Sequence, residues 1–555
     1  MALTHARVVA GLLALLVIPA VSGAQGAAVA DDSVARVDEI YAQWNSPQSP
    51  GCAVAVGTAG GEVVSRAYGM ADLEHDVPNS PGTVFEAGSV AKQFTAAAIV
   101  LLAQSGRLSL DDDVRKHVPE LPDYGTPITI RHLFTHTSGL RDWGTVVEAA
   151  GWPRTTRIYA HAHALDVISR QKSLNYTPGD EYSYTNSGYT LLAIIAERVS
   201  GQSLSEFSTR HLFEPLGMNH TQWRDDFTRV VKGRATAYTV GPEGSFRMLM
   251  PFENVYGNGG LLTTVGDLLR WTENLEHGRV GGPAFIEEMH RQARLNDGRE
   301  IAYASGLRVG TYRGLHEVSH GGATAGYRAF LTRFPDERVS VAVLCNVTHV
   351  NAEALAHQTA GVFLAGAMPA PDPPPTVRPS PDRLTALSGL YRNQRTLDPL
   401  RLDAAGGTLR MGGTTELLPV SDTVFARAGS GDRMAFAVDD QGRATGMRLL
   451  DADGDAIAFE PVPAVSPSPG ELRQYEGRFH SDEADATYTL TVASGVLELR
   501  LRPHIVQPLA PAYADAFTTP SGRLVRFIRG PSGTVDEMSF GMGRVRDLRF
   551  LRTAP

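Results

Sequence analysis

Five of the nine residues from Ala367 to Pro375 are proline, and neither a helix nor a sheet runs through such a segment. The chain must therefore fold as at least two units, one on each side of it. A length of 555 residues agrees, being too long for one ordinary domain. Residues 367–380 are read as a semi-rigid linker. Beyond it the pattern changes to short alternating runs bounded by turn residues, as at 399–402, 408–411 and 488–492, which is all-β in character. This stretch also repeats. Leu384-x-x-Leu387-x-Gly389-x-Tyr391 returns as Leu472-x-x-Tyr475-x-Gly477-x-Phe479. Phe425 aligns with Phe517, Phe436 with Phe527, Gly442 with Gly533, Met447 with Met538 and Phe459 with Phe550. Each unit, 381–465 and 466–555, holds about eight strand-like runs, the number that suits a small closed barrel.

The unit before the linker, 32–366, carries the chemistry. Ser89-Val90-Ala91-Lys92 follows Gly88 and opens an apolar run, 93–102, at helical spacing. Ser89 falls in the first turn and Lys92 one turn later on the same face. A cation there opposes the helix dipole at a cost of about 0.3–1 kcal/mol, and Glu or Gln is the ordinary choice three residues after a Ser cap. An ammonium whose pKa is lowered by dipole and burial takes the proton of a neighbouring hydroxyl, which gives the arrangement a purpose. A plain helix cap with a solvated lysine is the alternative. The chain has only four lysines, and Ser169-Arg170-Gln171-Lys172 repeats the spacing. That copy ends a helix and precedes no apolar run, so it reads as chance.

Two further elements add weight. Tyr184-Thr185-Asn186 precedes an amphipathic stretch, 191–199, and His320-Gly321-Gly322-Ala323 precedes two strand-like runs, 327–334 and 339–346. In this order the three resemble the Ser-x-x-Lys, Tyr-x-Asn and Lys/His-x-Gly elements of the serine β-lactamase and penicillin-binding-protein superfamily. The likeness is to its class C-like branch, with D-aminopeptidases, DD-peptidases and esterases. It extends over about 33–365 through Ile128–Leu140, Phe213–Met218 and Gly257–Leu261. Two barrels after such a domain resemble the layout of the D-aminopeptidases. The implied fold is α+β: an antiparallel sheet flanked by helices with an all-helical region, then the all-β modules.

What the resemblance implies for chemistry is an acyl-enzyme on Ser89. Lys92 and Tyr184 form the base system, and the shared proton belongs to the pair. The backbone N–H groups of Ser89 and Ala323 form the oxyanion hole. Asn186, His320 and Gly322 position substrate; Asn186 either holds a substrate amide or orients Lys92, helix capping being its plain alternative. Gly321 and Gly322 let a strand edge approach without side chains. Lys92 and His320 are the expected cations beside Tyr184. A histidine where many relatives have lysine weakens the hold on a substrate carboxylate. The expected substrate is a peptide or amide with a D-residue, then an ester, then a β-lactam. A non-catalytic penicillin-sensing or assembly module is the reading from another class. No cofactor or metal is expected.

Net charge is −9 with a pI near 6.0 and no basic patch, so nucleic acid is not an expected partner. Residues 1–24 read as a signal peptide, with an apolar run from Val8 to Ile18 too short for a membrane span. Export to the periplasm or medium follows, with no later transmembrane stretch and no lipoprotein cysteine near the cleavage site. Cys52 and Cys345 are the only cysteines. In the resembling fold their strands are antiparallel neighbours, and an exported chain permits a bridge. Both a disulfide and two buried thiols are open, and the demanding geometry of a bridge favours free thiols. His161-Ala162-His163 lacks a third ligand and reads as a surface helix, Asp111-Asp112-Asp113 as a solvated turn, and His136 has no assigned role.

Overall fold

An antiparallel sheet of six strands organises the first unit: β1 (Cys52–Thr58), β2 (Gly61–Tyr68), β3 (Arg308–Tyr312), β4 (Leu315–Thr324), β5 (Tyr327–Phe334) and β6 (Val339–Cys345), in the order β3-β4-β5-β6-β1-β2. The computed structural model describes residues 22–369, 377–427, 432–451 and 455–553. All but the last three residues of the expected signal peptide, and 370–376 of the linker, lie outside them.

Both faces of the sheet are covered, which is why β1 is apolar throughout rather than alternating. Val54 and Val56 pack with Val341 and Val343 against Val37, Tyr41, Leu355 and Ala356 from the helices Ser22–Tyr41 and Ala352–Leu364. The small Ala53, Ala55 and Ala342 face the other way, into the large core built on the helices Lys92–Gln104, Asn186–Ser200 and Val265–His277. This is the expected α+β architecture.

The expectation of free thiols is overturned. Cys52 and Cys345 are direct partners in the β1–β6 ladder, 4.0 Å apart at Cα, and form a disulfide. Register decides this: both side chains leave the same face of adjacent strands at the same level, so proximity comes from the sheet.

After the linker come two closed eight-stranded barrels. The first runs from β7 (Gly389–Asn393) to β14 (Ala456–Pro461) and the second from β15 (Gly477–Ser481) to β22 (Val545–Thr553). The repeat is visible in three dimensions. Each barrel is introduced by a Ser-capped, Pro-initiated helical turn, Ser380 before Pro381 and Ser468 before Pro469. Each first strand starts on a glycine in a left-handed conformation, Gly389 at φ 145° and Gly477 at φ 151°. The aligned Phe425/Phe517, Phe436/Phe527, Met447/Met538 and Phe459/Phe550 are all buried within the barrels, which their side chains fill.

The second barrel is docked on the first unit, its apolar interior continuous with the large core. Arg141 is the pin. Its buried guanidinium pairs with Glu483 at 2.7 Å and donates to Gln171 Oε1, Ser173 Oγ and the carbonyls of Arg546 and Asp547. Arg523 pairs with Glu148, and Arg502 stacks on Trp152 at 3.4 Å. The second Ser-x-x-Lys copy lies at this seam, where exposed Lys172 pairs with Asp482 at 2.8 Å.

Candidate active site

Ser89 sits in a short 3-10 turn, Gly88–Ala91, that feeds directly into the helix Lys92–Gln104. The turn is held against the edge of β4. Pairing of β4 with β3 stops at Ser319, so His320 to Thr324 are free on that side to meet it. The approach is tight enough to require glycine on both partners. A Cβ on Gly322 would stand 2.0 Å from the Ala87 carbonyl oxygen and 3.1 Å from the Ser89 nitrogen. One on Gly88, at φ 52°, would stand 2.6 Å from the Ala323 nitrogen. The backbone amides of Ser89 and Ala323 are thereby neighbours.

Ser89, Tyr184, Asn186, His320, Gly322 and Ala323 line one cavity of about 630 Å³. Lys92 lies beneath it, fully buried. Its Nζ is 3.2 Å from Ser89 Oγ and donates to Asn186 Oδ1 at 3.0 Å and to the Asn258 carbonyl at 2.6 Å. Burial, then the Arg544 charge, hold its pKa well below the ordinary value, against an opposing pull from Asp142. Burial pushes the Tyr184 phenol up, and a hydrogen bond with Ser89 offsets only part of that. Tyr184 is thus a phenol, not a phenolate, at neutral pH.

Asn186 is set by the chain around it. Thr185 caps its helix, and the Asn186 N–H donates to Asp142 Oδ2 at 2.7 Å. Its side chain is therefore free to orient Lys92, the second of the two roles expected for it.

His320 departs from the expectation of a cation. Its Nδ1 is 2.6 Å from the Gly321 carbonyl and so carries the hydrogen, which leaves Nε2 to accept from Tyr303 Oη at 2.8 Å. Burial and the nearby Lys92 lower its pKa to about 3. The ring is neutral because both nitrogens are satisfied inside the protein. The cation beside Tyr184 is instead Arg544, whose guanidinium lies 4.7 Å from the ring centre. It comes from the turn between the last two strands, Val535–Met542 and Val545–Thr553, of the second barrel.

Several neighbours escaped the sequence reading. His136, at φ 59°, is buried among Tyr184, Tyr189 and Tyr303 and accepts from the Thr185 N–H. Asn258 lines the cavity with its Oδ1 buried and without a hydrogen-bond partner among the described residues; only its position in the Gly257–Leu261 stretch signalled it. Tyr303 and Arg544 carry no local signal. His161 meets the backbone of Tyr256 and His163 that of Ala160, and no cluster of metal-ligating side chains occurs among the described residues.

The Beta-lactamase family model matches residues 34–364. The chain belongs to the Beta-lactamase family. It is a β-lactamase-related serine hydrolase. It is 29% identical over 454 residues to the D-aminopeptidase of Gluconobacter oxydans (strain 621H), covering 81% of this chain and 83% of that one. It is 31% identical over 306 residues to penicillin-binding protein 4* of Bacillus subtilis (strain 168), covering 52% of this chain and 66% of that one. Among solved structures, the octameric penicillin-binding protein homologue from Pyrococcus abyssi superposes with a TM-score of 0.56 at 24% identity, over 78% of this chain and 99% of that one. The D-aminopeptidase match is longer than the family region and so extends beyond it, whereas the match to penicillin-binding protein 4* is shorter than that region.

Proposed function

We propose that this protein is an exported hydrolase that cleaves amide bonds through an acyl-enzyme on Ser89, with peptides or amides of D-residues as favoured substrates. One observation carries the reading: the three neighbours of Lys92 Nζ. A neutral amine has two hydrogens and one lone pair. With the hydrogens on Asn186 Oδ1 and the Asn258 carbonyl, the lone pair is left for the Ser89 hydroxyl at 3.2 Å. A buried lysine with a depressed pKa is the amine that can be neutral near pH 7.

As Ser89 Oγ attacks the carbonyl, Lys92 takes its proton. The amides of Ser89 and Ala323 stabilise the oxyanion, each such donor contributing about 10²–10³ in rate. Tyr184, still protonated, gives its hydrogen to the leaving nitrogen and regains one from Lys92, so the Ser89 proton ends on the amine. Water then hydrolyses the ester by the reverse relay. The preference for D-residues is supported by the D-aminopeptidase relative, which matches beyond the family region. A neutral His320 brings no charge of its own to the carboxylate of a β-lactam, so any hold on that group falls to the arginines of the cavity.

The test is turnover of D- and L-alanine p-nitroanilide, each with its amine free and with it succinylated, p-nitrophenyl acetate and nitrocefin by wild type and Ser89→Ala. Ser89-dependent cleavage of the D-anilide supports the proposal. Cleavage of the ester alone makes the protein an esterase. Turnover that survives Ser89→Ala removes the nucleophile assignment.

A further inference from the structure

The cation over the Tyr184 ring on the cavity side is supplied from outside the family region, by Arg544 of the second barrel. Four observations bear on its purpose. It lines the same cavity as Ser89, and its guanidinium covers the Tyr184 ring at 4.7 Å.

Its backbone is fixed from both sides. The Arg544 carbonyl accepts from Asn175 Nδ2 at 3.0 Å and from the Asp142 N–H at 3.3 Å, and Arg546 N–H donates to Asn175 Oδ1 at 2.8 Å. Arg546 also pairs with Glu181 at 2.9 Å, and Arg141 holds the carbonyls of Arg546 and Asp547.

Its side chain, in contrast, has no carboxylate within ion-pair distance among the described residues, whereas its neighbour Arg546 has one and Arg549 has two. Asp142, whose N–H meets the Arg544 carbonyl, has its carboxylate already engaged by the amides of Asn186 and Thr145.

Finally, the cavity is cationic overall. Arg154 and Arg328 also line it; Arg154 is already paired with Glu253, Glu353 is the one carboxylate of the lining, and His320 is neutral, which leaves Arg328 and Arg544 against Glu353. A clamped backbone with an uncompensated guanidinium at its tip is arranged to receive an anion.

We propose that Arg544 selects acyl donors that present a carboxylate and disfavours those that present a free ammonium. The assignment rests on the Ser89 acyl-enzyme reading and narrows it. The favoured D-residue donor carries a side-chain carboxylate, or has its amine blocked by an acidic acyl group. A free N-terminal amine next to Arg544 is repelled.

The experiment compares three p-nitrophenyl esters of similar length and one leaving group: the monoester of glutaric acid, the valerate and the 5-aminovalerate. It uses the full chain as wild type, Arg544→Gln, Arg544→Glu and Arg544→Lys. The readout is the ratio of kcat/KM between esters within one variant, which cancels any change in Ser89 reactivity. Wild type is expected to prefer the glutarate over the aminovalerate by at least about tenfold, about 1.4 kcal/mol. Arg544→Gln should collapse that ratio, Arg544→Glu should reverse it, and Arg544→Lys should keep most of it. The preference should reside in KM and fade in 1 M salt. A ratio that is the same in wild type, Arg544→Gln and Arg544→Glu overturns the proposal, as does a wild-type preference for the aminovalerate. If the valerate is hydrolysed equally by Ser89→Ala, the acyl-enzyme reading fails first and the Arg544 assignment falls with it.

Discussion

Replacing Arg544 by glutamine is expected to move the acid limb of the pH–rate profile to higher pH on a neutral ester. The limb reports Lys92, which must be unprotonated to accept the Ser89 proton. Burial and the charge of Arg544 both depress its pKa, with Arg154 adding to them and Asp142 opposing. Lys92 Nζ lies 4.8 Å from the centre of the Tyr184 ring and the Arg544 guanidinium 4.7 Å from the same point, so the two cations are at most about 9.5 Å apart. At that separation two like charges repel by about 1.7 kcal/mol at an effective dielectric of about 20, and by about 0.4 kcal/mol in bulk water. Arg544 is exposed, so the value falls between these limits. One pH unit corresponds to about 1.36 kcal/mol, which makes the expected shift about half a unit to one unit upward. The sign is fixed: removing a neighbouring cation favours the protonated amine, and more alkali is then needed to free it. The assay is kcat/KM for p-nitrophenyl valerate between pH 5 and 9 in low salt, with Arg544→Lys as the charge-conserving control. A limb that stays in place, or moves down, refutes the electrostatic link between barrel and base. Salt at 1 M should shrink the difference, because screening then acts within about 3 Å.

Three further outcomes follow from the packing. The Cys52–Cys345 bridge closes a separation of 293 residues, for which chain entropy gives about 6 kcal/mol. Denatured, unreduced protein should show no free thiol, and Cys52→Ala/Cys345→Ala should unfold at clearly lower urea; two titratable thiols would remove the bridge. Arg141→Ala strands the buried Glu483 carboxylate at the seam, at a cost of about 3–5 kcal/mol. A new early transition in calorimetry and faster proteolysis between the barrels and the first unit should report it, and an unchanged thermogram would count against the pin. Gly322→Ala places a methyl 2.0 Å from the Ala87 carbonyl and should separate β4 from the Ser89 turn, lowering kcat/KM about 100-fold or more through the oxyanion site. Phosphonate labelling of Ser89 at the wild-type rate would contradict that geometry.

Local features of the sequence reached far into this structure where the physics is local. A glycine before an apolar helix, with Ser89 and Lys92 one turn apart, encodes the turn and the buried amine within eight residues. The doubled Leu384 and Leu472 patterns encode two barrels because each interior position must be refilled in the same order. Long-range pairing was harder to read. The Cys52–Cys345 bridge depends on register between strands at opposite ends of the first unit, and neither strand alone states that register. The neutrality of His320 comes from burial, and the partner of its second nitrogen is Tyr303, seventeen residues upstream in a segment with no motif of its own. Arg544 belongs to an ordinary Gly-Arg hairpin turn, and only the docking of the whole barrel, through Arg141, Glu483 and Asn175, gives it a place beside Tyr184.

That docking gives the site an order in time. Arg544 follows Ser89 by 455 residues, so a chain being synthesised exposes its nucleophile long before its arginine exists. During that interval the turn, the lysine and the strand edge can assemble, but the cavity has an open side and Lys92 lacks the charge that helps keep it neutral. Maturity of the active centre is thus tied to completion of the final hairpin. Chains that stall, or that lose the second barrel to a protease, would carry a nucleophile whose lysine is protonated more of the time and lacks the arginine beside it.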